Sequence, residues 1–165
     1  MSDEPSSLLD TLVDGFQAAL VGRDRSAFAA VCALDVHYED PLTGPALRGV
    51  DALGDHAARL WVAVPNAKVE QAGERLSDGR FVAAPIRLTG THSGELPGMP
   101  PTRKGFSVHA VLYCELGPPR ERLWRVRAFF DLYDASVQLG VLPAHGGMGE
   151  RALMLLRGFG LRSRS

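Results

Sequence analysis

A surplus of charge is what this 165-residue chain most plainly lacks: 18 basic residues against 19 acidic ones leave a formal net charge of −1. A nucleic-acid surface needs a basic excess to neutralise phosphates, so no nucleic-acid partner is expected. Cysteine is scarce as well. Cys32 and Cys114 stand far apart, which gives neither a metal-ligand spacing nor a disulfide framework, and both read as buried thiols. Glycine-rich phosphate loops, dinucleotide fingerprints and nucleophile elbows are missing; Gly146-Gly147-Met148-Gly149 reads as a linker. No cofactor and no metal are therefore expected. No apolar run approaches the roughly 18–20 residues of a membrane span. Met1 to Ser7 lacks the basic start and apolar stretch of a secretory signal. The expected location is the cytoplasm, without membrane insertion.

The composition is otherwise globular, with 45% hydrophobic and 22% charged residues, and the length suits one domain. Leu8, Leu9, Leu12, Val13, Phe16, Ala19 and Leu20 recur at helical spacing behind a capping Ser7. A short second helix is predicted from about Ser26 to Ala33. Asp35 to Asp40 alternates, with Tyr38 and Asp40 on one side of an extended segment; Pro41 stops it, and Leu42 to Gly49 reads as a loop. Val50 to Ala63 is again helical, with Leu53, Ala57, Leu60 and Trp61 in register. Four strand-like runs follow, about Lys68–Glu74, Arg80–Gly90, Phe106–Leu116 and Leu123–Leu132, separated by Gly- or Pro-bearing turns. Helices followed by a run of strands is the α+β pattern. Alternation puts Val108, Ala110, Leu112 and Cys114 on one face of the third long run. It puts Trp124, Val126, Ala128 and Phe130 together on the fourth. Both are apolar interior faces, while His109 faces out. Asp131 reads as the cap of a short helix from Leu132 to Leu139. Residues 144–165 read as a linker and a short basic tail.

The segment Gly90-Thr-His-Ser-Gly-Glu-Leu-Pro-Gly-Met-Pro-Pro-Thr102, followed by Phe106-Ser107, resembles a hairpin of the SnoaL-like polyketide cyclases, in the nuclear-transport-factor-two-like superfamily. Phe130-Asp131, Gln138-Leu139-Gly140 and the stretch from Val36 to Gly49 with Asp40-Pro41 are similar to further elements of that family. The resemblance covers about Leu8 to Pro143. It implies a cone-shaped α+β barrel: a curved antiparallel sheet wrapped by three N-terminal helices, over a pocket domain of residues 1–143. It also implies homodimers formed through the outer sheet face.

Family membership alone does not fix the chemistry. The positions where the cyclases carry a catalytic aspartate and histidine fall on Ala128 and Leu112, which cannot move protons. Those of the related epoxide hydrolases fall on Ile86, Leu88 and Ala128. Glu39-Asp40-Pro41 resembles ketosteroid isomerase, and that likeness makes Asp40 a candidate general base. An apolar cavity would raise its pKa, because burial disfavours the charged form. The isomerase's two oxyanion donors match Phe16 and Leu112, so that half is missing, and Tyr38 or His56 is the substitute donor within reach. The expected catalytic residues are thus Asp40 and Tyr38. The expected ligand contacts are Phe16, His56, Trp61, Leu112, Trp124, Ala128 and Phe130. His92 is expected to support the hairpin loop. The expected function is proton-transfer catalysis, of cyclase or isomerase type, on a hydrophobic polycyclic ketone. The alternative is a non-catalytic binding or accessory protein for a hydrophobic ligand.

Overall fold

The computed structural model describes residues 7–118 and 121–156. Helices α1 (Leu8–Val21), α2 (Ala27–Val31) and α3 (Val50–Ala63) interleave with strands β1 (Cys32–Glu39) and β2 (Leu47–Arg48). Strands β3 (Lys68–Gln71), β4 (Leu76–Ser77), β5 (Phe81–Thr91), β6 (Gly105–Leu116) and β7 (Leu123–Phe130) follow, and then helices α4 (Leu132–Gln138) and α5 (Met148–Leu156). The expected α+β architecture is present. The sheet runs β2-β1-β7-β6-β5-β3, with β4 on β5, and is open at both ends. One pair departs from the antiparallel expectation: β1 and β7 are parallel, because β1 precedes the meander and returns to its far edge. The strands at Leu47–Arg48 and Leu76–Ser77 were not foreseen. Each is two residues long, too short to carry an alternation signal.

Local chemistry sets the helix ends. The Ser7 hydroxyl accepts the Asp10 amide at 3.1 Å and donates to the Asp10 carboxylate at 2.6 Å, closing α1. Its buried face is the predicted one, including Leu9, Leu12, Val13, Phe16 and Ala19. Gly49 turns the chain into α3 at φ +90°, a conformation that side chains resist, while its amide donates to the Val36 carbonyl at 2.8 Å. On α3 the buried stripe holds Leu53, His56, Ala57 and Trp61, so His56 faces the sheet. The Trp61 indole donates to the Leu20 carbonyl at 2.6 Å and ties α3 to the end of α1.

The concave sheet face is apolar, as the alternation requires: Val108, Ala110, Leu112 and Cys114 of β6 are all buried. On β7 the alternation breaks once. Glu115 pairs with Arg125 but Leu116 pairs with Leu123, which leaves Trp124 as the extra residue of a β-bulge. Leu123 takes the interior place instead. Gly117 makes room for the displaced indole; a Cβ there would lie 2.7 Å from the Trp124 Cβ.

Two segments close the wide end of the cone. The β5–β6 loop is pinned to the end of α3, with the amides of Ser93 and Gly94 both donating to the Ala63 carbonyl at 3.0 Å. Gly94 permits this approach, since a Cβ would sit 1.7 Å from the Val62 carbonyl oxygen. Helix α4 is capped by Asp131, which accepts the Asp134 amide at 2.9 Å. Gln138 then straps α4 to β6 by accepting the Ser107 amide at 2.8 Å and donating to its carbonyl at 3.0 Å.

Candidate functional site

Between the concave face, the ends of α1 and α3, the β5–β6 loop and α4 lies a cavity of about 200 Å³. Its wall is almost wholly apolar. The polar side chains that reach it are Tyr38, Asp40, His92 and Ser136.

Tyr38 and Asp40 are two residues apart at the end of β1 and so share a face. The Tyr38 hydroxyl donates to Asp40 Oδ2 at 2.9 Å. His56 Nε2 lies 2.8 Å from the same oxygen. The Leu42 amide donates to Asp40 Oδ1 at 2.7 Å, the turn that follows from an aspartate before proline. The Asp40 side chain is 3% exposed and that of His56 7%. A carboxylate offers about four lone-pair sites. Oδ2 has both of its sites occupied, and Oδ1 retains one.

The electrostatic balance at Asp40 is the reverse of the one expected. Burial does push its pKa up, and is the largest single influence. The hydrogen bond and charge of His56, the Leu42 amide and the Tyr38 hydroxyl together outweigh it, and the carboxyl is held below its ordinary value of 3.8. Tyr38 moves the other way: burial, then the neighbouring Asp40 charge, push its phenol well above 10. It stays neutral, and its one proton is committed to Asp40.

The other predicted residues divide into two groups. Trp61, Leu112, Ala128 and Phe130 line the cavity. His56 stands behind Asp40 and outside the wall. Phe16 is also outside, fully buried with its ring 5.6 Å from Phe28 and 6.1 Å from Tyr38, where it backs the tyrosine. Trp124 is on the opposite side of the sheet, 5.5 Å from His37 and under the Arg125 guanidinium, because the bulge turns it out. Sequence reasoning left out Leu96 and Met99 of the β5–β6 loop, and Leu139 and Val141 after α4, all of which line the cavity. The signal was available: apolar side chains inside a loop and beyond a helix end need something to cover.

Among the described residues no three His, Cys, Asp or Glu side chains converge on a possible metal position, and no helix is long and apolar enough to cross a membrane.

No curated protein matches the chain. Solved structures do, at low identity. TsrD from Streptomyces laurentii superposes with a TM-score of 0.72 at 18% identity, over 85% of this chain and 100% of its own. A protein described as a SnoaL-like polyketide cyclase, from Jannaschia, gives 0.73 at 19% identity, over 87% of this chain and 99% of its own. A protein with a ketosteroid isomerase-like fold from Catenulispora acidiphila, in complex with trimethylamine, gives 0.66 at 19%, over 79% and 92%. These likenesses establish the fold. The model of the SnoaL-like polyketide cyclase family matches residues 10–139, a span that takes in the Asp40 cluster, the loop above it and all of the cavity wall except Val141, and the chain belongs to that family.

Proposed function

We propose that the protein catalyses proton transfer on a hydrophobic cyclic ketone, with Asp40 as the general base. The observation that carries this reading is a single ionised carboxylate, held by three donors, at an otherwise greasy cavity. The free lone pair on Oδ1 is the one that would take a proton from the carbon beside the carbonyl. Tyr38 and His56 act as positioning residues, holding Oδ2 and with it the plane of the carboxylate. The apolar wall, with Trp61, Leu112, Ala128 and Phe130, would bind the ring system by excluding water. A cavity of about 200 Å³ favours bicyclic members of the polycyclic ketone class, since pockets for larger ligands run to roughly 300–1,000 Å³.

One observation favours a second reading. A base with a depressed pKa has little driving force for proton abstraction, and a carboxylate so fully held can also serve as a buried pin in a non-catalytic ligand carrier. Mass-detected deuterium exchange at the α-carbon of 1-tetralone separates the two. Exchange by the wild type that Asp40→Asn loses supports the enzyme. Binding of 1-tetralone without exchange supports the carrier and removes Asp40 from catalysis.

The same proposal includes a homodimer through the convex sheet face, where Val111 and Phe129 are directly paired and exposed. A division near residue 143 is supported by the cavity wall, whose last contributor is Val141. A cytoplasmic location fits two buried, unpaired thiols. Burial pushes both thiols up to about 12, with the Cys114 charge adding at Cys32 and opposed at Cys114 by Arg75.

A further inference from the structure

His92 lies at the start of the β5–β6 loop, with 1% of its surface exposed, and is one of the residues along the cavity. Its backbone is fully paired: its amide donates to the Lys104 carbonyl at 3.0 Å, and its carbonyl accepts the Arg103 amide at 2.9 Å. The ring is held on one side only. The Thr102 backbone amide lies 3.2 Å from Nδ1, and the Thr102 hydroxyl is at the same distance. An amide nitrogen can only donate, so Nδ1 must present its lone pair. The neutral imidazole then carries its proton on Nε2. Nε2 is buried and has no hydrogen-bond partner among the described residues.

A buried donor without an acceptor is uncommon and unfavourable, and a fold that fixes the opposite nitrogen so firmly keeps it that way. We infer that the His92 Nε2–H is the polar anchor for the carbonyl oxygen of the ligand. This rests on the reading of the cavity as a site for an apolar ketone, and it goes beyond it by naming the group that holds the ketone oxygen. Leu112 and Phe16 supply no such donor, and Tyr38 has committed its proton to Asp40.

The test uses 1-tetralone and tetralin, which share a bicyclic skeleton and differ by the carbonyl oxygen. Long-range nitrogen–proton NMR of the free wild-type protein is expected to give the Nε2–H tautomer for His92. The wild type is expected to prefer the ketone. His92→Asn keeps an acceptor for Thr102 and removes the Nε2 donor. It is expected to weaken ketone binding by about tenfold and to leave tetralin affinity unchanged. An Nδ1–H tautomer, or a ketone preference that survives in His92→Asn, overturns the inference. Should His92→Asn fail to fold, the wild-type Nε2–H resonance decides: a shift with 1-tetralone and none with tetralin supports it, and no shift with bound ketone overturns it. Failure here is separable from failure of the base. Exchange lost in Asp40→Asn alongside a ketone preference retained in His92→Asn removes His92 alone, and the opposite pair of results removes Asp40 alone.

Discussion

The sheet buries a carboxylate on each of its faces, and the two are held by different chemistry. Glu115, on the convex side by the alternation of β6, is 6% exposed and sits between Arg80 at 2.7 Å and Arg125 at 3.6 Å. Its partners carry permanent charge and are themselves open to solvent, Arg80 at 51% and Arg125 at 37%. Asp40, on the concave side, is met by a phenol, an imidazole and a backbone amide, and opens onto an apolar cavity. An arginine pair fixes a charge in place. A phenol and an imidazole hold a charge while leaving one lone pair free for chemistry. The contrast is between a carboxylate that closes a strand pair and one that can meet a ligand.

Removing each carboxylate outright sharpens the difference most. Asp40→Ala leaves the Tyr38 hydroxyl and His56 buried without an acceptor, and is expected to destabilise the fold by about 3–5 kcal/mol. Glu115→Ala releases two arginines into water and is expected to lose only about 1–2 kcal/mol. Urea unfolding of the two variants measures both, and equal losses would erase the distinction. A milder change comes from Tyr38→Phe, which deletes one donor to Oδ2. It is expected to lose about 0.5–1.5 kcal/mol and to let the Asp40 carboxyl titrate upward, as read by carbon NMR of the carboxyl. An unmoved Asp40 titration would show that the tyrosine does not hold it.

The pH dependence has a definite sign. The folded Asp40 pKa lies below its ordinary value of 3.8, so the folded chain binds that proton less readily than the unfolded chain. The stability Asp40 contributes is present above 3.8 and is lost as the pH falls through the folded value. Wild-type and Asp40→Asn unfolding energies should therefore converge on acidification toward about pH 2; parallel curves would contradict the depressed value. The smallest effect on chemistry belongs to the convex face. Phe129→Glu places a charge at the proposed dimer contact and is expected to give a monomer in sedimentation, with the exchange rate within about twofold, because its side chain alternates to the opposite face of the sheet from Ala128 and Phe130. An unchanged dimer would move the interface elsewhere.

These features were unequally legible in the sequence. The apolar alternation of β6 and the helical stripes of α1 and α3 were plain, because burial on one face writes a period of two or 3.6 into the chain. Tyr38 and Asp40 were legible as a pair for the same reason. Their link to His56 was not: a contact across sixteen residues, from helix to strand end, has no periodic signature. The pKa of Asp40 was misjudged in direction because burial could be inferred from composition, whereas the donors opposing it exist only in three dimensions. Trp124 was misplaced by one added residue, since a bulge inverts the facing of a position without altering its neighbours' pattern. His92 was legible as a loop residue, and only the Thr102 amide on its Nδ1 gives its other nitrogen a proton and a purpose.

The most direct test of the central claim is α-carbon deuterium exchange of 1-tetralone, measured side by side for the wild type, Asp40→Asn and Glu115→Gln. The account predicts exchange by the wild type, a fall of about 10²–10⁴-fold in Asp40→Asn, and a wild-type rate in folded Glu115→Gln. A rate unchanged in Asp40→Asn, or lost equally in both variants, would contradict it.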